Sequence, residues 1–126
     1  MTSVWTVEVE LVDDWLATLD EKSYELIVAA LEVLAEQGPS LGRPLADSIV
    51  GSTYRNMKEL RTGSSGRSEV RILFAFDPAR KAILLVAGEK AGNWQKWYRT
   101  NIPLADERYR QHLDRLKGER NAQDSC

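Results

Sequence analysis

"SEVRILFAFDPARKAILLVAGE", residues 68 to 89, decides the fold. In its first half Val70, Ile72, Phe74 and Phe76 alternate with Glu69, Arg71 and Leu73, the period of two by which a strand sends successive side chains to opposite faces. Asp77-Pro78-Ala79-Arg80 then reads as a hairpin with Pro78 and Ala79 as its two-residue loop, the aspartate opening the turn and proline fixing φ behind it. In KAILLVAGE, 81 to 89, apolar residues occupy both faces, as a strand in the middle of a sheet requires. An antiparallel hairpin is therefore expected at the centre of the chain, with MKELR, 57 to 61, as a third strand across the TGSSGRS loop.

Outward from the hairpin, VWTVEVELV (4 to 12) alternates Trp5, Val7, Val9 and Leu11 with Thr6, Glu8 and Glu10 and predicts a half-buried strand. Asp13 and Asp14 offer an N-cap and acidic first turn for a short helical segment through Leu19. From Asp20, a second cap, Tyr24, Ile27, Val28, Leu31, Leu34 and Ala35 recur at helical spacing until Gly38 and Pro39 end the run. Residues 38 to 56 read as a long connection. On the far side, Pro103 sits where a helix would begin, and Leu104, Tyr109, Leu113 and Leu116 line an amphipathic run to about Lys117. The order predicts an α+β domain over residues 1–118: a small antiparallel or mixed twisted sheet of about four strands, N-terminal helices packed on one face, and a C-terminal helix. Residues 119–126 hold no large apolar side chain to dock apart from Cys126 and are expected to fray.

A chain of 126 residues with 43% hydrophobic and 29% charged residues suits one compact core. No run approaches the roughly 18 apolar residues of a membrane span, and MTSVWTVEVE lacks the pattern of a secretory signal. Cys126 is the single cysteine, so neither a disulfide framework nor a cysteine metal site is expected, and the cytoplasm is the default compartment. The net charge of −2 conceals a division: residues 1 to 53 carry ten acids against two bases, and residues 54 to 99 carry ten bases against four acids. That asymmetry points the middle third toward an anionic partner, although the two halves could also neutralise each other in the fold.

Pairing sharpens the reading. A two-residue hairpin loop sets Arg71 opposite Val86 and Arg67 near Lys90, so the three cations share the face opposite Val70, Ile72 and Phe74. If Leu60 turns to the core, Glu59 and Arg61 join that face. A one-residue bulge in the TGSSGRS loop would present Lys58 instead. Beyond the last strand, GEKAGNWQKWYR (88 to 99) gathers Trp94, Lys96, Trp97, Tyr98 and Arg99. Stacked aromatics and cations of this kind hold unpaired bases, but Trp94 and Trp97 lie three apart and could equally seal the core. His112, the lone histidine, falls among Arg108, Arg110 and Arg115 and is expected to face solvent.

These residues resemble the RelE/ParE superfamily of toxins, specifically the HigB-like, phage Gp49-related branch. The resemblance rests on WLATL in the opening region, the KELR strand, the VRILFAFDPARKAILLVAGEK hairpin and GEKAGNWQKWYRTNIPLADERYRQHL at the end. It implies cleavage of mRNA on the ribosome and a cognate antitoxin that often carries a helix-turn-helix DNA-binding domain, so that operator DNA is met only through the complex. Carried across, Arg71 is the second arginine of the hairpin motif, Arg61 the arginine of the Glu-Leu-Arg strand, and Lys90 the cation ending the last strand. Tyr98 and Lys96 are the candidates for the catalytic groups that relatives place near the C-terminal end of the sheet. The fold is also shared by ParE-like toxins directed at DNA gyrase, and by members that would act only as an antitoxin's partner in repression.

The chemistry suits these residue types. Attack by a 2′-hydroxyl on the adjacent phosphorus needs a base, stabilisation of phosphoryl charge, and a proton for the departing 5′-oxygen. Arginine answers the second need with a permanently charged fork, which assigns Arg71 and Arg61 to a phosphate clamp. Glu59 is the one carboxylate expected near enough to act as base. Lys90 beside Arg67 and Arg71 is placed where neighbouring cations would lower its pKa toward neutrality. Lys58, Arg67, Trp94, Lys96, Trp97 and Arg99 would bind the RNA, and the scheme calls for neither metal nor other cofactor.

Overall fold

The computed structural model describes residues 5–63, 69–89 and 93–124. Its elements are β1 (Thr6–Glu8), α1 (Asp13–Leu16), α2 (Glu21–Gln37), β2 (Ala46–Ser48), β3 (Met57–Gly63), β4 (Glu69–Phe76), β5 (Lys81–Glu89) and α3 (Trp94–Asp124). The strands form one mixed sheet in the order β1-β5-β4-β3-β2, with β1 parallel to β5 and the other pairs antiparallel. The α+β expectation holds, with five strands for about four. The additional strand is β2, whose Ala-Asp-Ser has no periodicity to reveal it and which exists through its pairing with Leu60, Glu59 and Lys58.

Two clusters sandwich the sheet. On one face Leu60, Val70, Ile72, Phe74, Ala82 and Leu84 meet Ile27, Ala30 and Leu34 of α2. On the other, Met57, Leu73, Ala75, Ile83, Leu85 and Val86 meet Ile102, Ala105 and Tyr109 of α3. The face expected to lie open and cationic is therefore covered by α3 along most of its length, and the cations are confined to one end of it.

The hairpin departs from the expected register in two places. Asp77 N donates to Lys81 O at 2.8 Å, so the loop is the three residues Pro78, Ala79 and Arg80, with Arg80 left-handed at φ 63°. Asp77 Oδ1 organises this loop by accepting from the backbone N–H groups of Ala79 and Lys81, each at 2.9 Å. A bulge follows: Leu73 pairs with Val86 but Phe74 with Leu84, which leaves Leu85 as the extra residue. Leu85 and Val86 consequently both face α3, and Arg108 Nη1 donates to the Leu85 carbonyl at 2.6 Å. Arg71 thus stands opposite Gly88, not Val86.

The N-terminal strand is shorter than its alternation suggests, because a 3₁₀ turn at Glu10–Val12 bends the chain into α1, burying Val12 and exposing Leu11. Asp13 and Asp14 occupy the first turn of α1 and do not cap it. Asp20 does cap α2, accepting from Ser23 N at 3.3 Å, and α2 ends at Gly38 as its sequence predicts.

α3 begins at Trp94, well before Pro103, which lies inside it. Asn93 is the unforeseen start signal: its Oδ1 accepts from Lys96 N at 3.1 Å. An interior proline costs about 3 kcal/mol relative to alanine. Burial of a large side chain returns about 1.5–3 kcal/mol, and Ile102 and Tyr109 are both buried here, with Trp97 half-buried. Packing wins, and the helix runs through.

His112 is not turned to solvent: its Nε2 lies 2.6 Å from Oδ2 of the fully buried Asp77 carboxylate, and its ring stacks on Tyr109. Asp77 therefore holds the hairpin turn and α3 together. Asp77→Ala is expected to lower unfolding free energy by about 2–4 kcal/mol in urea titration. Breaking the half-exposed Lys81–Glu8 pair should cost under about 1 kcal/mol. Equal effects would contradict this assignment.

Candidate active site

The alternation of β3 sends Leu60 into the α2 core and Glu59 and Arg61 to the opposite face, where β4 contributes Arg71 directly across from Arg61. Lys58 takes the α2 side, donating to Pro39 O at 3.3 Å and lying over the Phe76 ring, so it stands apart from this cluster. Tyr98, from the start of α3, completes it.

Glu59 is the centre. Only 2% exposed, its Oε1 accepts from Arg61 Nε and Nη2, both at 2.6 Å, and its Oε2 accepts from the Tyr98 hydroxyl at 2.5 Å. Arg71 Nε in turn donates to the Tyr98 oxygen at 3.2 Å, and Arg71 Nη2 pairs with Glu69 at 3.1 Å. At the other end Asp47 lies 3.8 Å from Arg61 and 2.9 Å from Arg43. The result is a chain of alternating charge from Arg43 to Glu69, with Tyr98 inserted between Glu59 and Arg71. Neither Asp47 nor Glu69 was anticipated. Pairing of β2 with β3 brings in Asp47, whereas Glu69 lies two residues before Arg71 on β4, a same-face position that strand alternation alone could have shown.

This arrangement sets proton affinities. Burial, reinforced by the hydrogen bond to Glu59, raises the Tyr98 phenol above its ordinary 10.0, against the smaller lowering by Arg71. The hydrogen bond to Glu59 likewise raises Arg61, fixing its charge. Arg43 holds Asp47 below its usual value. At neutral pH the site offers a protonated phenol whose oxygen receives a hydrogen bond from one arginine while its proton is directed at a carboxylate.

The aromatic residues wrap the rim. The Arg71 guanidinium sits 5.0 Å from the centre of the Trp94 ring, and Trp94, Trp97 and Tyr98 contact one another edge-on or tilted. Trp97 lies on Gly88, where a Cβ would fall 2.4 Å from its Nε1, so only glycine permits this approach. Trp97 accordingly packs as core, while Trp94 is half-buried over Arg71. Lys96 and Arg99 are exposed on the first turns of α3. Arg67 and Lys90 lie outside the described residues. A cleft of about 260 Å³ opens beside the cluster, lined by Glu59, Arg61 and Tyr98 together with Ser48, Ile49, Val50 and Ile102. Among the described residues, no helix is long and apolar enough to cross a membrane.

With this geometry established, similarity to known proteins becomes informative. Residues 14–110 match the family model "Phage derived protein Gp49-like (DUF891)". The chain is 61% identical over 109 residues to "Putative toxin HigB2" of Mycobacterium tuberculosis, a match covering 86% of this chain and 54% of that protein. It is 50% identical over 97 residues to "Putative toxin HigB3" of the same organism, covering 77% of this chain and 82% of the relative. The chain thus spans about half the length of HigB2. No solved structure matches it significantly. The Gp49 match and the two HigB relatives agree with the resemblance drawn from the hairpin and its continuation: the chain belongs to the phage-derived Gp49-like family, in its HigB-like branch.

Proposed function

We propose that this chain is the toxin of a type II toxin–antitoxin pair and cleaves mRNA on the ribosome by metal-independent transphosphorylation. The observation that carries the reading is the convergence of Arg61, Arg71 and Tyr98 around the buried Glu59 carboxylate. The similarity to two proteins named as HigB toxins supports the toxin role. The partners that follow are a cognate antitoxin, mRNA in the ribosome, and operator DNA through the antitoxin complex, and the compartment is the cytoplasm.

Each residue then has a task. The scissile phosphate takes the place of Glu69, whose side chain is 56% exposed and makes one contact to Arg71, and meets the 41% exposed Arg61 from the cleft side. Glu59 is too deeply placed to touch RNA, so it acts through Tyr98. The phenol oxygen takes the proton of the 2′-hydroxyl while its own proton passes to Glu59, as the 2′-oxygen attacks phosphorus. Arg71 and Arg61 hold the charge that accumulates on the phosphoryl oxygens, which removes the need for a metal cation. The 5′-oxygen leaves with a proton, the task assigned to Lys90. Lys96 and Arg99 contact the backbone of the flanking RNA.

Arg71→Ala is expected to lower cleavage at least about 100-fold, the scale seen when one donor to a developing charge is removed. It should abolish growth arrest and still bind the antitoxin; undiminished arrest would refute the clamp. A second expectation concerns alkali. The folded pKa of Tyr98 is raised, so its contribution to stability is complete below the ordinary 10.0 and is lost as pH rises through the folded value. The stability difference between wild type and Tyr98→Phe should stay level to about pH 10 and shrink above it. A difference that begins to shrink near neutrality would contradict the protonated relay.

A further inference from the structure

The cleft beside Glu59 and Arg61 has a wall that the phosphate chemistry does not use. Ile49, Val50 and Ile102 line it, and Val50 is 94% exposed, whereas the next most exposed large apolar side chain described, Tyr24, is at 46%. A loosely held loop does not explain this. Ser52 Oγ donates to Asp106 Oδ1 at 2.5 Å, Thr53 N to Asp106 Oδ2 at 2.9 Å, and Tyr54 N to Ser52 Oγ at 3.0 Å, so the segment after Val50 is pinned to α3. Ile49 packs against the cluster beneath that helix, and Gly51 at φ 101° turns the chain immediately behind Val50. The fold holds a valine in water at the mouth of the site.

The aromatic side chains, the first candidates for holding bases, are already engaged. The Trp94 ring receives the Arg71 guanidinium, and Trp97 is pressed on Gly88. What remains open beside the clamp is a cleft that joins a half-exposed guanidinium to an aliphatic wall. A nucleotide presents the complementary pair, an anionic phosphate and a flat, weakly hydrated base face.

We infer that Ile49, Val50 and Ile102 form an aliphatic shelf that receives the nucleobase next to the scissile phosphate, with Val50 as a specificity-determining residue. The inference rests on the ribonuclease reading above and adds to it the seat of the base.

The test maps transcript ends after induction of wild type, Arg71→Ala, Val50→Ser and Val50→Leu, together with thermal unfolding and antitoxin binding for each. Val50→Ser should unfold as wild type does, cut about tenfold less, and show a flattened nucleotide preference at the cut, while Val50→Leu, which restores an aliphatic surface, should recover most of the rate lost in Val50→Ser. If Arg71→Ala abolishes cutting but Val50→Ser cuts with wild-type rate and preference, the shelf is overturned and the ribonuclease reading stands. If wild type does not cut, or Arg71→Ala cuts undiminished, the reading falls and the shelf with it. Unchanged cutting by a Val50→Ser chain that no longer binds antitoxin would assign Val50 to a protein contact and also overturn the shelf.

Discussion

A carboxylate in the interior of a sheet is the constraint around which this molecule is arranged. Glu59 stands across from Leu73 on the face that packs Met57, Leu73 and Ile102 beneath α3, and withdrawing its charge from water costs several kcal/mol. Three hydrogen bonds, two from Arg61 and one from Tyr98, offset that cost and fix both partners. Removing Arg61 leaves the charge uncompensated, and removing Tyr98 takes the hydrogen bond from Oε2. The same atoms therefore serve stability and geometry, and Tyr98 is held where Arg71 can reach its oxygen.

Asp77 plays the corresponding part at the other end of the sheet. It closes the hairpin turn with one oxygen and holds His112 with the other, as Glu59 holds Arg61 and Tyr98. Tyr98 and His112 are separated by about 21 Å along α3 at 1.5 Å per residue. The long helix is thus fastened across the sheet at two buried carboxylates, with the bulge at Leu85 and the Arg108 hydrogen bond between them. Because Leu85 and Val86 both face α3, the bulge also brings Gly88 beneath Trp97 and opposite Arg71. The site's rim is a consequence of one inserted residue.

Periodicity made much of this legible. The alternation in β3 put Glu59 and Arg61 on one face as a local property of the strand, but joining them to Arg71 rather than presenting Lys58 depended on the β3–β4 register, which the structure sets at Arg61 across from Arg71. The register of the hairpin was not legible, since Asp77-Pro78-Ala79-Arg80 is compatible with two- and three-residue loops, and the left-handed Arg80 is chosen by contacts that include the Trp5 ring 4.9 Å away. Nor was the start of α3, where Pro103 is a strong local signal outweighed by packing of Trp97 and Ile102 on the sheet. The exposure assigned to His112 failed for a related reason: its partner lies 35 positions away, and sequence neighbours gave no sign of it. Asp47, which pairs with Arg43 and Arg61, becomes visible only when β2 flanks β3, whereas Glu69 shares a strand face with Arg71 and was open to the same parity argument.

The proposed chemistry is definite: the RNA's own 2′-oxygen attacks and a tyrosine–glutamate pair removes its proton. The ends left on the RNA record that choice. The most direct measurement is end-group analysis of transcripts cut during induction of the wild-type chain. The account predicts 2′,3′-cyclic phosphate on the upstream fragment and 5′-hydroxyl on the downstream one. Fragments ending in 3′-hydroxyl and 5′-phosphate, or transcripts left intact during arrest, would contradict it.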